Sequence, residues 1–459
     1  MKTVFNLSGK KALVVGLGDT GASCVRWLLE HDAEVRGTDT RAEPPHAQHL
    51  SEAFPEVRFS LGRFDPVDFA WAEMVVVSPG VAMATPEIRV AAEAGKDIVG
   101  DVELFARVIA GSKSKVIAIT GSNGKSTVTS LVGHLCAAAG LDTVVAGNIG
   151  LPVLDALAER EINGDSPDVW VLELSSFQLE TTASLRPAAA TVLNISEDHM
   201  DRYSALADYA ATKARVFTSG VQVLNRDDVM VMAMANPALD MRSFGLDAGD
   251  YGLVDQAGRL WLAEAGQPLC PVDDLPIAGL HNAANALAAL ALCRAIGLTY
   301  DRLLPALKTF KGLAHRVEKV AVVAGRTFYD DSKGTNVGAT AAALKGFAAP
   351  VVLIAGGDGK GQDFAPLRGA VKNARAVVQI GRDGPQIAAA IAGACPVIRA
   401  ETMAEAVAKA YELSQPGDVV LLSPACASWD MFRNYAHRAE VFIAAVAALD
   451  ADAGGRHVP

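Results

Sequence analysis

The chain reads as an α/β protein built on parallel sheets and divided into three domains. Three observations predict this. Apolar β-type runs alternate with helix-period segments almost throughout. The runs are continuous in apolar character rather than alternating, as strands buried on both faces require. Finally, 459 residues exceed what one hydrophobic core usually serves.

In chain order, KALVVGLG, AEVRGTD and MVVVSPG read as the first strands, with ASCVRWLLEH a helix among them. KVIAITG, VWVLELS and AATVLNI follow. PVVLIAGG, AVVQIG and DVVLLSPA close the series, with MAEAVAKAYEL as an intervening helix. Strand patterns restart after the basic stretch GSKSK at 111–115 and again around KGLAHRVEK at 311–319. The three domains are therefore placed at 1–110, 111–312 and 313–459. No internal repeat or low-complexity tract stands out.

Composition narrows the function classes. Net charge is −11, with acidic and basic residues mixed along the chain, which argues against a sequence-independent nucleic-acid binder. Small anionic substrates stay open, because a pocket can be positive on an acidic protein. Cys24, Cys136, Cys270, Cys293, Cys395 and Cys426 form no CxxC pair and read as reduced thiols. The start, MKTVFNLSGKKALVVG, runs into a strand-type segment without a cleavage site, so no signal peptide is expected. The most membrane-like segment, residues 278–298, contains His281, Asn282, Asn285 and Arg294, which predicts a buried helix of a soluble, cytoplasmic protein.

The most informative run is ITGSNGKST, Ile119 to Thr127. Strand, glycine turn with a lysine, then helix is the order that binds nucleotide phosphates: glycines let backbone N–H groups approach, and the helix N-terminus adds partial positive charge. Lys125 would reach the terminal phosphates, and the hydroxyl of Ser126 or Thr127 would ligate Mg²⁺. The strict pattern wants glycine where this chain has Ile119, so the match is a variant. The competing reading is a glycine turn capped by serine and threonine.

Other constellations flank it. GLGDTG puts glycines at 16, 18 and 21 after a strand, with Asp39 at the end of the next. That pattern fits NAD, any nucleotide diphosphate, or a tight β–α turn with no ligand. Glu173 ends VWVLE beside the phosphate loop, where it suits a Mg²⁺ ligand or an ordinary acidic cap. LNISEDHMDRY gathers Asn194, Asp198, His199 and Asp201 at a strand end, and Asn148 follows another strand candidate, able to meet phosphate or metal. Lys213, in YAATKARVF, reads from the residues alone as a solvated helix lysine. FYDDSKGTNVGAT, IAGGDGKGQDF and LSPACASWDMFRNYAHRAEVF each place glycines, hydroxyls and charge after a strand, with Lys333 and Lys360 able to pair with carboxylates or phosphates.

Taken together, ITGSNGKST, LELSSFQLE, the NxxxDHxDR pattern from Asn194, GLHNAANALAA, LAHRVE, DDSKGTN and GGDGKGQDF resemble the Mur ligase family. The closing LSPACASWDMFRNYAHRAEVF is similar to the branch that adds glutamate to UDP-N-acetylmuramoyl-L-alanine. The resemblance implies a Rossmann-like N-terminal domain for the uridine nucleotide, a central P-loop ATP-binding domain with a parallel sheet, and a Rossmann-like C-terminal domain for glutamate. It reassigns the NAD-like turn to UDP, with Asp19, Thr20, Asp39, Thr40, Arg41, Ser78 and Gly80 around it, and Asn148 toward the substrate phosphate or metal-bound water. ATP falls to Gly121, Ser122, Asn123, Gly124, Lys125, Ser126 and Thr127, with Asn282, Asn285, Arg316 and Asp331 around adenine and ribose. Ser126, Glu173, His199 and a Lys213 carbamylated by CO₂ would hold two Mg²⁺ ions; Lys125, His199 and Lys213 form the catalytic set. Lys333, Thr335, Lys360, Ser428 and Tyr435 match the glutamate pocket. Contacts to ATP and to the amino acid would then come from different domains that must close, and Gly312 with residues 314–316 is the expected hinge.

The activity so implied is an ATP-dependent amide ligation. It joins D-glutamate to UDP-N-acetylmuramoyl-L-alanine through an acyl phosphate, releasing ADP and phosphate, in cytoplasmic peptidoglycan precursor synthesis. The enzyme would be a monomer, with no nucleic-acid partner and no membrane insertion. Three alternatives compete. A folylpolyglutamate-type ligase would share the central motifs but has no use for GLGDTG. A NAD-dependent dehydrogenase would leave ITGSNGKST unexplained, and a non-catalytic nucleotide-binding module would need neither a metal cluster nor an amino-acid pocket.

Overall fold

A computed structural model describes residues 5–277 and 279–454. Residues 1–4 of the start read as leaderless, Ala278 of the apolar segment, and 455–459 of the last domain lie outside the described residues. The chain divides into two compact units. The first takes in the chain to Asn194, Ala207–Phe244 and Ala288–Ala306; the second takes in Ile195–Leu206, Gly245–Leu287 and the chain from Leu307 onward.

The first unit opens with five parallel strands: β1 (Lys11–Val15), β2 (Glu34–Asp39), β3 (Arg58–Leu61), β4 (Met74–Val77) and β5 (Asp97–Val99). Their spatial order is β3-β2-β1-β4-β5. Strand order reverses between β1 and β4, so their carboxyl ends open the crevice where such sheets take ligands. The apolar run ALVV is buried on both faces, as its continuous hydrophobicity predicts. Gly16 turns the chain out of β1 at φ +92° and the helix Asp19–Glu30 follows at once. Gly21 lies so close to that turn that a Cβ there would meet the Gly16 carbonyl oxygen at 1.8 Å.

The same unit holds six more parallel strands: β6 (Lys115–Thr120), β7 (Thr143–Gly147), β8 (Val169–Glu173), β9 (Ala189–Val192), β10 (Val221–Asn225) and β11 (Met241–Phe244). They lie in the order β11-β10-β9-β6-β8-β7. Parallel pairing turns every carboxyl end to one edge, so the segments after β6, β7, β8 and β9 emerge together.

In the second unit β12 (Tyr251–Gln256), β13 (Arg259–Glu264) and β14 (Gln267–Pro271) form an antiparallel meander. A further sheet comprises β15 (Glu318–Val323), β16 (Arg326–Asp330), β17 (Val351–Gly356), β18 (Ala374–Ile380), β19 (Val397–Arg399) and β20 (Val419–Leu422), in the order β15-β16-β20-β17-β18-β19. Alternate residues of its central strands feed two cores: Val352, Ile354 and Val378 pack with Phe442, while Leu353, Ala355 and Val377 pack with Ile387.

The expectation of parallel sheets needs one correction. The β12–β13, β13–β14 and β15–β16 pairings are antiparallel, because short connections such as Ala257–Gly258 and Ala324–Gly325 fold each strand straight back. The apolar segment near residue 280 forms the helix Leu280–Ala295; among the described residues no helix is long and apolar enough to cross a membrane.

Gly21→Ala should destabilise the protein by about 3 kcal/mol, because the added methyl has no room against backbone. Gly18→Ala, at the helix N-cap but with open space around it, should cost about 1 kcal/mol or less. Urea unfolding of the two variants checks this, and equal losses would show that the tight turn does not discriminate.

Candidate active site

The turn after β6 joins that strand to the helix Lys125–Ala138 in the first unit. Ile119 lies inside the strand, so the turn starts later than the strict phosphate-loop pattern, at Gly121 (φ +147°). Gly124 at φ +83° caps the helix Lys125–Ala138 in a conformation that non-glycine residues rarely adopt. Lys125 curls back, its Nζ donating to the carbonyl oxygens of Gly121 and Ser122 at 2.9 Å each. Asn194, just past β9, brackets the loop from below. Its Oδ1 accepts the Asn123 N–H at 2.8 Å, its Nδ2 donates to the Asn123 carbonyl at 3.0 Å, and its own carbonyl accepts the Ser122 N–H. Ser126 and Thr127 are buried in the first helical turn.

Register places Glu173 level with Ile119 of β6 and Gly147 of β7. One carboxylate oxygen accepts from Asn148 Nδ2 at 2.8 Å, and the Asn148 N–H donates to the Glu173 carbonyl. The other oxygen, Oε2, is buried with no hydrogen-bond partner among the described residues. A buried carboxylate oxygen left so is costly, and it fits a cation or a water from a cation's shell. Lys213, in the helix Leu206–Ala214, is 1% exposed, which overturns the reading of a solvated lysine. Its Nζ donates to Thr120 Oγ1 at 3.1 Å and stands 4.7 Å from the centroid of the Tyr209 ring.

At the crevice of the first sheet, Ser78 Oγ donates to the Gly16 carbonyl at 2.7 Å across the switch point. Asp39 Oδ2 accepts the Leu17 N–H at 2.8 Å, and Arg41 grips both carboxylate oxygens from Nε and Nη2 at 3.0 and 2.7 Å. Burial opposes ionisation of Asp39, but the guanidinium and the backbone donors outweigh it and hold the carboxyl below its usual range. Asp19, Thr40 and Gly80 are exposed around this crevice and Thr20 is half-buried. Asp19 Oδ1 lies 2.6 Å from His46 Nε2.

In the second unit three loops leave adjacent carboxyl ends of β16, β20 and β17, and they are bonded to one another. Ser423 Oγ donates to Asp331 Oδ2 at 2.7 Å, the Ala425 N–H to the Gly334 carbonyl, and Asp358 with Ala427 exchanges two backbone bonds. Lys333, Thr335, Lys360 and Ser428 are carried on these loops, and Tyr435 begins the helix Tyr435–Gly454. Lys333 Nζ stands 3.7 Å from the centroid of the Tyr435 ring. Lys360 pairs with Asp198 at 2.9 Å, and Asp198 also lies 3.6 Å from the ring of His199, a residue at φ +56°. Asn285 Nδ2 donates to Asn282 Oδ1 at 3.1 Å on one helix face. Burial drives Asp331 up to about 7, against its bond from Ser423 and the nearby Arg316 charge.

The predicted site residues thus gather in groups. The phosphate loop, Asn148, Glu173 and Lys213 lie at one sheet edge in the first unit; His199, Asn282, Asn285, Arg316, Asp331 and the C-terminal set belong to the second. Sequence reading missed Thr120 and Tyr209, the neighbours of Lys213, although Tyr209 sits one helical turn before it. It also missed Arg438, wholly buried and donating to Ser332 and the Cys426 carbonyl. Among the described residues, His315, Glu318 and Asp330 form an imidazole–carboxylate cluster with ligand atoms within 4.8 Å of one another. The three-residue spacing of His315 and Glu318 was its available signal.

The chain matches the N-terminal domain of MurD-like Mur ligases over residues 10–100, the Mur ligase middle domain over 119–293, and the Mur ligase glutamate ligase domain over 315–426. It is 58% identical to a UDP-N-acetylmuramoylalanine–D-glutamate ligase of Chromobacterium violaceum, covering 97% of this chain and 99% of the relative. A protein of the same name from Thiobacillus denitrificans is 56% identical, covering 97% and 98%. Among solved structures the fold is similar to MurF ligase of Thermotoga maritima in complex with ADP (TM-score 0.61, 15% identity, 96% of each chain). It is also similar to the UDP-N-acetylmuramate–alanine ligase of the same organism (TM-score 0.58, 18% identity, 95% and 99%).

The elevated Asp331 carboxyl makes a pH-dependent prediction. A carboxyl raised to about 7 favours the folded state most below the ordinary range near 4, and that contribution is lost as pH climbs to about 7. Asp331→Asn should therefore gain stability relative to the parent protein between pH 5 and pH 8, on the order of 2 kcal/mol. Thermal unfolding of both proteins at the two pH values measures it; an unchanged difference would assign Asp331 an ordinary acidity.

Proposed function

The chain belongs to the Mur ligase family, and from that premise we infer that it joins D-glutamate to UDP-N-acetylmuramoyl-L-alanine at the expense of ATP. ADP and phosphate are the other products, and the setting is peptidoglycan precursor synthesis in the cytoplasm. The observation that carries the chemical half of this reading is the glycine turn with Lys125 at a helix N-terminus, one strand from a buried carboxylate oxygen of Glu173 with no partner among the described residues. Near-full-length identity to ligases of that name supports the choice of substrates.

A carboxylate is a poor electrophile, so one of its oxygens first attacks the γ-phosphorus of ATP, forming an acyl phosphate and releasing ADP. Lys125 leaves the loop carbonyls and stabilises charge on the transferred phosphoryl group. The neutral amine of glutamate then adds to the acyl carbon, loses a proton, and phosphate departs from the tetrahedral intermediate. Residues 121–127 hold the nucleotide phosphates, chiefly through N–H groups of the first helical turn, because those of Ser122 and Asn123 are spent on Asn194. Asn282, Asn285, Arg316 and Asp331 take the adenosine; Asp19, Thr20, Asp39, Thr40, Arg41, Ser78, Gly80 and Asn148 take the uridine substrate. Lys333, Thr335, Lys360, Ser428 and Tyr435 take glutamate.

In the first unit Glu173 Oε2, buried with no hydrogen-bond partner among the described residues, and the Ser126 hydroxyl suit magnesium; His199 and Lys213 are the further ligands proposed. Two such ions would supply the positive charge that lets an anionic carboxylate approach a triphosphate. Carbamylation by CO₂ would turn buried Lys213 from a cation into an anion suited to that role. The domain limits 1–110, 111–312 and 313–459, and a monomeric state, belong to the same proposal.

Release of ADP and phosphate with ATP, UDP-N-acetylmuramoyl-L-alanine and either D- or L-glutamate tests the assignment. Turnover is expected with the D isomer; no ADP with any combination would overturn it. Lys125→Ala should lower turnover by about 10³-fold or more in a folded protein. Lys213→Ala should be inactive until a short carboxylate is added, and full activity without one would remove the carbamate.

A further inference from the structure

We propose that His315 is a positioning residue for the amino-acid pocket, acting through its bond to Asp330 and its grip on the Asp330–Lys333 turn. This rests on the assignment of Lys333 and Tyr435 to glutamate.

The turn from β16 into that pocket is held by His315 at both ends. At its start, His315 Nδ1 lies 2.6 Å from Asp330 Oδ2, a carboxylate with no solvent exposure. The other oxygen of Asp330 accepts the Ser332 N–H at 2.8 Å. At the far end, the His315 carbonyl accepts the Lys333 N–H at 3.1 Å. One residue therefore spans the turn, its ring on the first position and its backbone on the fourth.

Its ring also meets the second pocket residue. The His315 and Tyr435 rings meet edge to face, with centroids 6.1 Å apart at 71°, and the same Tyr435 ring carries the Lys333 ammonium 3.7 Å from its centroid. Ser332 Oγ donates to the Tyr435 carbonyl, so the turn and the tyrosine are tied through backbone as well. His315 is thereby in contact with both sides of the place where Lys333 and Tyr435 face each other.

The conformation of His315 is itself constrained. It sits at φ +63°, a region that side chains other than asparagine, aspartate and histidine seldom enter. Glu318 Oε2 accepts the His315 N–H at 2.9 Å and holds it there. Strain of this kind persists where surrounding bonds over-determine it. A metal ion is the weaker account of the same three residues. The histidine nitrogen and Asp330 already satisfy each other, Glu318 is engaged with backbone, and no donor or acceptor of the trio is left buried and unpaired among the described residues.

Steady-state kinetics on the full-length enzyme tests the inference, varying glutamate and the uridine substrate separately. His315→Ala loses the Asp330 bond and the ring contact; its KM for glutamate should rise tenfold or more, with KM for the uridine substrate within twofold. His315→Asn tolerates the left-handed backbone and can still donate to Asp330, so its glutamate KM should stay within about threefold of the parent. It also serves as the folded comparison should His315→Ala prove unstable, because its failure to rescue would mean that the Asp330 bond is not the device. Lys333→Met tests the pocket itself. A glutamate KM unmoved by Lys333→Met removes the pocket and this inference with it. A KM raised by Lys333→Met but left within twofold by His315→Ala, or both KM values rising together in His315→Ala, overturns the inference alone.

Discussion

Parallel strand pairing is the constraint on which the rest depends. A strand in such a sheet ends at the same edge as its neighbours, so whatever follows each strand is delivered to a common place. The phosphate loop, Asn148, Glu173 and Asn194 are far apart in the chain, yet each follows or ends one of four neighbouring strands, β6, β7, β8 and β9. The same rule collects the loops after β16, β17 and β20 in the second unit. Side chains then need only short adjustments, made by bonds such as Asn148–Glu173 and Ser423–Asp331.

This also explains which parts of the fold were legible. Strands buried on both faces must be apolar along their length, so KALVV, KVIAIT, VWVLE and VVLIAG announce themselves. Strands open on one side carry polar residues and look like loops. RFSL, RLWLAE and QPLCP are of this kind, and the hairpin that joins the last two was invisible because its register lies in a turn rather than in composition. The membrane-like segment forms the helix Leu280–Ala295, whose polar side chains include the Asn282–Asn285 pair.

The candidate site was legible where chemistry depends on backbone shape and opaque where it depends on packing. GSNGKST advertises a turn, because only glycine accepts the angles at 121 and 124 without strain. Burial of Lys213 could not be read from YAATKARVF, in which a lysine near a helix end looks solvated. It follows from the helix docking its inner face beside Thr120. The role of His315 was partly hidden: its spacing from Glu318 is local, but its bond to Asp330 reaches fifteen positions along the chain and depends on the fold. Local charge also departs from the acidic whole: Arg41 claims Asp39, while the helix Lys125–Ala138 sets its N-terminus and Lys125 just past β6.

The folded-back Lys125 has one more consequence. Its ammonium is not a loose arm searching for an anion; two carbonyl groups already immobilise it within the turn. The rotamer freedom of a long side chain is surrendered during folding, so a phosphate arriving at this turn exchanges the ammonium's acceptors without ordering it afresh. Selectivity should then favour anions that bring more negative charge than two neutral carbonyls offer, leaving water and uncharged molecules unable to displace them.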